Sequence, residues 1–112
     1  MRTDKIIVIG SANTDMVVKA GKLPLPGETI LGGTFFMNAG GKGANQAVAA
    51  ARLGGNVTLV AKVGNDIFGK QTIDVIRKEN IITDHVFVDE ETPSGTALIM
   101  VNEEGENCIV VA

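Results

Sequence analysis

The sequence predicts an α/β fold, a parallel sheet with helices between its strands, and beside it a separate small antiparallel sheet. Three observations carry this. Strand-like and helix-like segments alternate through the centre of the chain as strand, helix, strand, helix, strand. Two groups of extended segments, about residues 14–37 and 96–112, fall outside that alternation. The 14 glycines sit at predicted turns, with no internal repeat.

The elements follow in order. Lys5 to Ile9 is a short apolar, β-branched run closed by Gly10, the pattern of a buried strand. Ser11 to Asp15 brings small and polar residues to the end of that strand, where α/β proteins place ligands. Met16 to Val18 resumes as a further strand with its polar residues at the entry. Lys22 to Gly33 is turn chemistry around Pro24 and Pro26-Gly27, and Thr29–Leu31 and Thr34–Met37 are short extended pieces around Gly32-Gly33.

The stretch from Asn38 to Arg52, N-A-G-G-K-G-A-N-Q-A-V-A-A-A-R, organises the chain. Its glycines open the main chain to another molecule, and a helix follows from about Gly41 to Leu53. Ala44, Ala47, Val48 and Ala51 share one face of it, Arg52 lies in its last turn and Gly54 fits its end. A helix start of this kind suits an oxygen-rich or anionic ligand; an ordinary loop-to-helix junction has the same local pattern. Val57 to Val63 reads as a buried strand. Asp66 is placed to cap a helix with Phe68, Thr72, Val75 and Ile76 on one face and Asn80 at its end. Val86 to Val88 is a short strand. Thr96–Val101 and Asn107–Ala112 form a hairpin, with Gly105 left-handed in the loop.

Composition bounds the function. In 112 residues, 45% are apolar and 21% charged, an ordinary globular balance for one domain. Net charge is −3 and no basic stripe offers itself to nucleic acid. One cysteine, Cys108, and one histidine, His85, cannot build an internal disulfide or a Cys/His zinc site. Cys108 is expected packed in its strand and His85 on the surface. No apolar run is long enough for a transmembrane helix or a signal peptide, so a cytoplasmic protein with no membrane partner is expected. The chain stops at Ala112 inside an apolar run, which points to the N-terminal part of a longer protein.

Motif tests narrow the ligand. A phosphate-binding P-loop fails, because Gly43 stands where Ser or Thr is needed and Phe36 where the first glycine is needed. The dinucleotide fingerprint fails at Gln46 when started at Gly41, and at Ala12 when started at Gly10. A nucleotide-binding regulator is therefore disfavoured. Asn13 and Asp15 combine donors with acceptors, a pair able to grip vicinal hydroxyls or simply to form an N-T-D turn. Lys42 and Asn45 lie about a turn apart and can face one ligand. Asp66 and the glutamates at 28, 90, 91, 103, 104 and 106 read as solvated turn charges.

Three segments in this order, Gly10-Ser11-Ala12-Asn13-Thr14-Asp15, Pro26-Gly27-Glu28-Thr29 and Gly40-Gly41-Lys42-Gly43-Ala44-Asn45-Gln46-Ala47, resemble the PfkB family of carbohydrate kinases, and its ribokinase branch in particular. Gly64-Asn65-Asp66 with Phe68-Gly69 is similar to the family's G-x-D-x-x-G segment. The resemblance implies a Rossmann-like three-layer α/β/α core with a small β-sheet lid, the lid strands being about 14–37 and 96–112. It implies phosphorylation of D-ribose at O5 with ATP and magnesium, with a monovalent cation as a further candidate. It places Asn13, Asp15, Gly41, Lys42 and Asn45 on the sugar, adds Ala97, Ile99 and Val111 as apolar lid contacts, and implies a homodimer through the lid strands. The family's G-A-G-D motif, which supplies the catalytic base, is not among these 112 residues, nor is its nucleotide-binding region. No catalytic residue or metal ligand is expected in this segment, and alone it is expected to be inactive. The alternatives are a non-catalytic sugar-binding or dimerisation module built from such a kinase, and a kinase for another sugar or nucleoside.

Overall fold

A computed structural model describes residues 4–112. The element order is β1 (Lys5–Ile9), β2 (Asn13–Lys19), β3 (Thr34–Gly40), α1 (Lys42–Arg52), β4 (Asn56–Gly64), α2 (Ile67–Lys78), β5 (Ile82–Asp89), β6 (Thr96–Val101) and β7 (Asn107–Val111). The chain divides into two compact units. One takes the residues up to Thr14 with Ala39–Gly95, the other Asp15–Asn38 with Thr96–Ala112.

The first unit is the predicted parallel sheet, ordered β1-β4-β5, with Lys5 beside Asn56 and Val60 beside both Ile9 and His85. Alternate residues of β4, namely Val57, Leu59, Ala61 and Val63, are buried against the helices. Ala44 and Ala47 of α1, Ile76 of α2 and Val86 of β5 complete that core, with Ile6 and Val8 of β1 packed against it. Both helices cover this one face; the Arg52 guanidinium of α1 grips the carboxylate of Glu79, just past α2. The other face carries Ile7 (62% exposed), Ile9 (79%) and Phe87 (54%), beside Thr58, Val60, Lys62 and His85 in register. The run Lys5 to Ile9, read as buried, is thus covered on one side only, and the first unit holds a sheet and a single helix layer.

The second unit is a four-stranded sheet, ordered β3-β2-β6-β7. It is mixed, where an antiparallel sheet was expected. The β6–β7 pair is antiparallel, with Ala97 opposite Val111 and Ile99 opposite Ile109. The N–H groups of Thr14 and Ala20 donate to Gly95 O and Val101 O, one at each end of β2 and β6, so these neighbours run the same way. Gly105 closes the hairpin at φ 83. Thr29–Leu31 forms no strand. Gly33 has φ 94, and a Cβ there would lie 2.4 Å from Lys19 O, so this bend is made by close backbone approach. Cys108, expected to be packed, is exposed in β7, which ends the sheet order and has a neighbour on one side only.

Helix ends follow the predicted chemistry. Asp66 caps α2, and Asn80 beyond it is left-handed at φ 60. Gly54, at φ 91, donates to Ala51 O past the end of α1. The face expected on α2 is shared by Thr72 and Ile76, whereas Val75 is 42% exposed. Strand β5 begins at Ile82, four residues earlier than the Val86 start expected from the sequence.

Candidate functional site

The start of α1 is built on backbone contact. Gly41 has φ 94, and a Cβ there would lie 2.6 Å from Ser11 O. A Cβ on Gly43 would lie 2.6 Å from Gly10 C and 2.7 Å from Gly10 Cα. Gly10 in turn faces Gly43 Cα. The amide of Ala44 donates to Ser11 O at 2.9 Å. These glycines therefore admit the chain's own backbone, where the sequence suggested an incoming molecule. One of the amides at the helix start is already taken, which reduces its capacity for an anion.

This contact joins two of the sequence segments singled out above. The turn Gly10–Ala12 runs directly into Asn13, and the helix it supports carries Lys42 and Asn45, both exposed. Asn45 edges a groove of about 360 Å³ between α1 and α2, with Ala44, Val48, Val75, Ile76 and Glu79 among its walls. Asn13 and Asp15 lie inside β2, not in a turn before it, two residues apart and half-buried on the same side of the strand. Between them Thr14 is buried at 6% exposure. Gly40, read as part of the glycine turn, is the buried end of β3.

In the second unit the hairpin register puts Ala97, Ile99 and Val111 on one face. Ala97 is buried at 5% exposure and Val111 is open at 62%.

Asp66 had the most sequence signal left unused. Beyond its cap bond from the Gly69 amide it accepts from both the amide and the hydroxyl of Ser94. The Ser94 amide, then its hydroxyl and the Gly69 amide, hold the Asp66 carboxyl below the usual carboxylate range. The G-N-D segment announced the cap; nothing local announced the partner 28 residues on. Asp89 is lowered likewise, first by the amides of Glu91 and Thr92 and then by Lys62. Among the described residues no three His, Cys, Asp or Glu side chains converge to hold a metal ion. No helix among them is long and apolar enough to cross a membrane.

Residues 3–112 match the pfkB family carbohydrate kinase profile. The chain belongs to this family. It is 47% identical over 106 residues to mouse (Mus musculus) ribokinase, covering 95% of this chain and 33% of that protein. It is 49% identical over 106 residues to ribokinase of Bacillus subtilis, covering 95% of this chain and 36% of that protein. Among solved structures, ribokinase from Giardia lamblia superposes with a TM-score of 0.89 at 37% identity, over 99% of this chain and 33% of that one. Arabidopsis thaliana ribokinase, complexed with ribose and ATP, gives a TM-score of 0.84 at 36% identity, over 95% of this chain and 35% of that one. The chain thus spans about a third of the length of the curated relatives it matches. The predicted resemblance and the ribokinase-like fold class both hold; of that fold's layers, the first unit has one sheet and one helix layer, and the second unit has the small sheet.

Proposed function

We propose that this chain is the sugar-binding part of an ATP-dependent kinase that phosphorylates D-ribose to ribose 5-phosphate. The observation that supports the reading is the backbone contact between Gly10–Ala12 and the start of α1, which seats the segment leading into Asn13 on the start of the helix that bears Lys42 and Asn45. A furanose offers a ring of hydroxyls that both donate and accept. Asn13 supplies both functions, the Asp15 carboxylate accepts, and the Lys42 ammonium donates. Gly41 offers the sugar its main-chain polar groups, while the side where a Cβ would stand is filled by Ser11. Ala97, Ile99 and Val111, on one face of the small sheet, are the apolar contacts of this reading. The relative from Arabidopsis with ribose and ATP bound supports this choice of ligand.

What these residues do is hold and orient the sugar so that its O5 is presented to the phosphoryl donor, the positioning share of phosphoryl transfer. The nucleotide and magnesium belong elsewhere: the P-loop test fails at Gly43 and Phe36, and the described residues bring no carboxylate set together for a metal. No step through ATP, magnesium or a monovalent cation is assigned to residues of this chain. With no G-A-G-D motif among them, the 112 residues alone are inactive in this reading. The open apolar rows of the small sheet, Leu98 with Val110 and also Phe35, support a homodimer through it. The setting is the cytoplasm.

The test is Asp15→Ala in the complete protein. It should raise KM for ribose about a hundredfold, the loss of a charged partner to two hydroxyls, with KM for ATP unchanged. An equal loss toward both substrates would sink the role given to Asp15. A comparison of ribose, fructose and adenosine by calorimetry separates ribose from the other acceptors, and ATP turnover separates the kinase from a non-catalytic binding module.

A further inference from the structure

The carboxylate of Asp66 does more than a helix cap requires. A cap needs one acceptor, and the Gly69 amide uses Oδ1 at 2.8 Å. The Ser94 hydroxyl donates to the same oxygen at 2.7 Å, and the Ser94 amide donates to Oδ2 at 2.8 Å. Ser94 Oγ in turn accepts from the Gly64 amide at 2.8 Å. Ser94 is buried, at 7% exposure, and the glycines around it leave no slack: a Cβ on Gly64 would lie 2.4 Å from Ser94 N. The next residue, Gly95, gives its carbonyl to the Thr14 amide at 3.0 Å. Thr14 is the buried residue between Asn13 and Asp15. Hydrogen bonds at each end and the Ser94–Gly95 peptide link between them thus connect the N-terminus of α2 to the middle of the N-T-D triplet.

We propose that Asp66 is a positioning residue for the sugar: through Ser94 and Gly95 it fixes the backbone of Thr14, and with it the directions in which Asn13 and Asp15 leave β2. The proposal rests on the sugar-site reading above. Only a carboxylate serves, because all three partners are donors. An asparagine would set its own N–H groups against the Ser94 amide or hydroxyl. A small displacement at Thr14 moves both flanking side chains together, and a misplaced pair loses sugar affinity without touching the nucleotide.

The experiment compares Asp66→Asn, Ser94→Ala and Ser94→Thr with Asp15→Ala in the complete protein, reading KM for ribose and for ATP, thermal midpoint, and hydrogen exchange at the Thr14 amide. Asp66→Asn and Ser94→Ala should raise KM for ribose about tenfold, one charge-assisted hydrogen bond's worth, with KM for ATP unchanged and faster exchange at Thr14. Ser94→Thr keeps the hydroxyl, so it should raise KM for ribose less than Ser94→Ala does, although its added methyl lowers the thermal midpoint in this tight site. If Asp66→Asn fails to fold, Ser94→Ala decides, since it keeps the cap to Gly69. Unchanged KM for ribose in both folded variants, or equal rises for ribose and ATP, would overturn the proposal. If Asp15→Ala raises KM for ribose while these variants do not, the positioning role falls and the sugar site stands. If Asp15→Ala has no effect, the sugar site itself is refuted.

Discussion

Gly43→Ala sets two effects of known size against each other. Gly43 lies in α1, and alanine there should stabilise an unobstructed helix by about 1 kcal/mol. The site is obstructed. The added Cβ would sit 2.6 Å from Gly10 C, 2.7 Å from Gly10 Cα and 2.8 Å from Ser11 N. Carbon atoms rest about 3.5–4.0 Å apart, so the helix start must move by roughly 1 Å. Every atom in the way is backbone, so no side chain can turn aside. Overpacking of this kind costs about 1–3 kcal/mol, here near the upper end. The Ala44–Ser11 hydrogen bond adds about 1 kcal/mol to what is at risk. Contact outweighs propensity, and the net loss should be about 2 kcal/mol by these ranges. Urea unfolding of the complete protein, read as a lowered midpoint at unchanged slope, measures it. In the proposed site the same shift should raise KM for ribose. A Gly43→Ala protein as stable as wild type would refute the reasoning, because it would mean that the Gly10–Gly43 approach is loose.

Three further outcomes are expected. Leu59→Ala, at the fully buried centre of β4, should cost about 2–5 kcal/mol in the same assay; a loss under half of the lower figure would mean that the core collapses around the gap. Asp66 has a folded-state pKa below its ordinary one, so it lends stability above the unfolded value and loses it as pH falls through the folded one. Wild-type stability should therefore decline below about pH 4, and Asp66→Asn should decline less steeply there; parallel curves would contradict the assigned hydrogen bonds. The 112-residue chain expressed alone, with Ile7, Ile9 and Phe87 open on one sheet face, should bind an apolar dye, self-associate and show no kinase activity. A stable, monomeric, active product would contradict this.

The alternation of strands and helices was legible because each element of the first unit has its own period and its own stop signal. Asp66, Gly54 and Gly105 announced their turns by residue type alone. The burial of β1 was not legible, since an apolar run looks the same whether one face or two are covered. The beginning of β5 was hidden by Thr83, Asp84 and His85: the last two are exposed on an edge strand, and Thr83 is buried with its hydroxyl accepting from Arg77. The direction of β6 beside β2 depends on a connection through the whole first unit, which no local pattern records. The glycines of α1 were correctly seen as permitting close approach, but sequence does not say what approaches; Gly10 and Ser11 lie some thirty residues away. The partnership of Asp66 with Ser94 was missed for the same reason.

The contact between Ser11 and Gly41 has a consequence for how this chain can change. The roughly thirty residues between them leave the first unit and come back to the point of departure, so for the core they are a detour of almost no length, and closing such a loop costs only a logarithm of its size. The crossover from β1 through α1 to β4 is complete without them. The detour can therefore lengthen, shorten or be exchanged while the crossover keeps its register, provided that its two ends still meet. In that sense β2 and β3, the strands that the detour carries, are an insertion in the crossover, and the glycine contact at its two ends is the fixture that closes it.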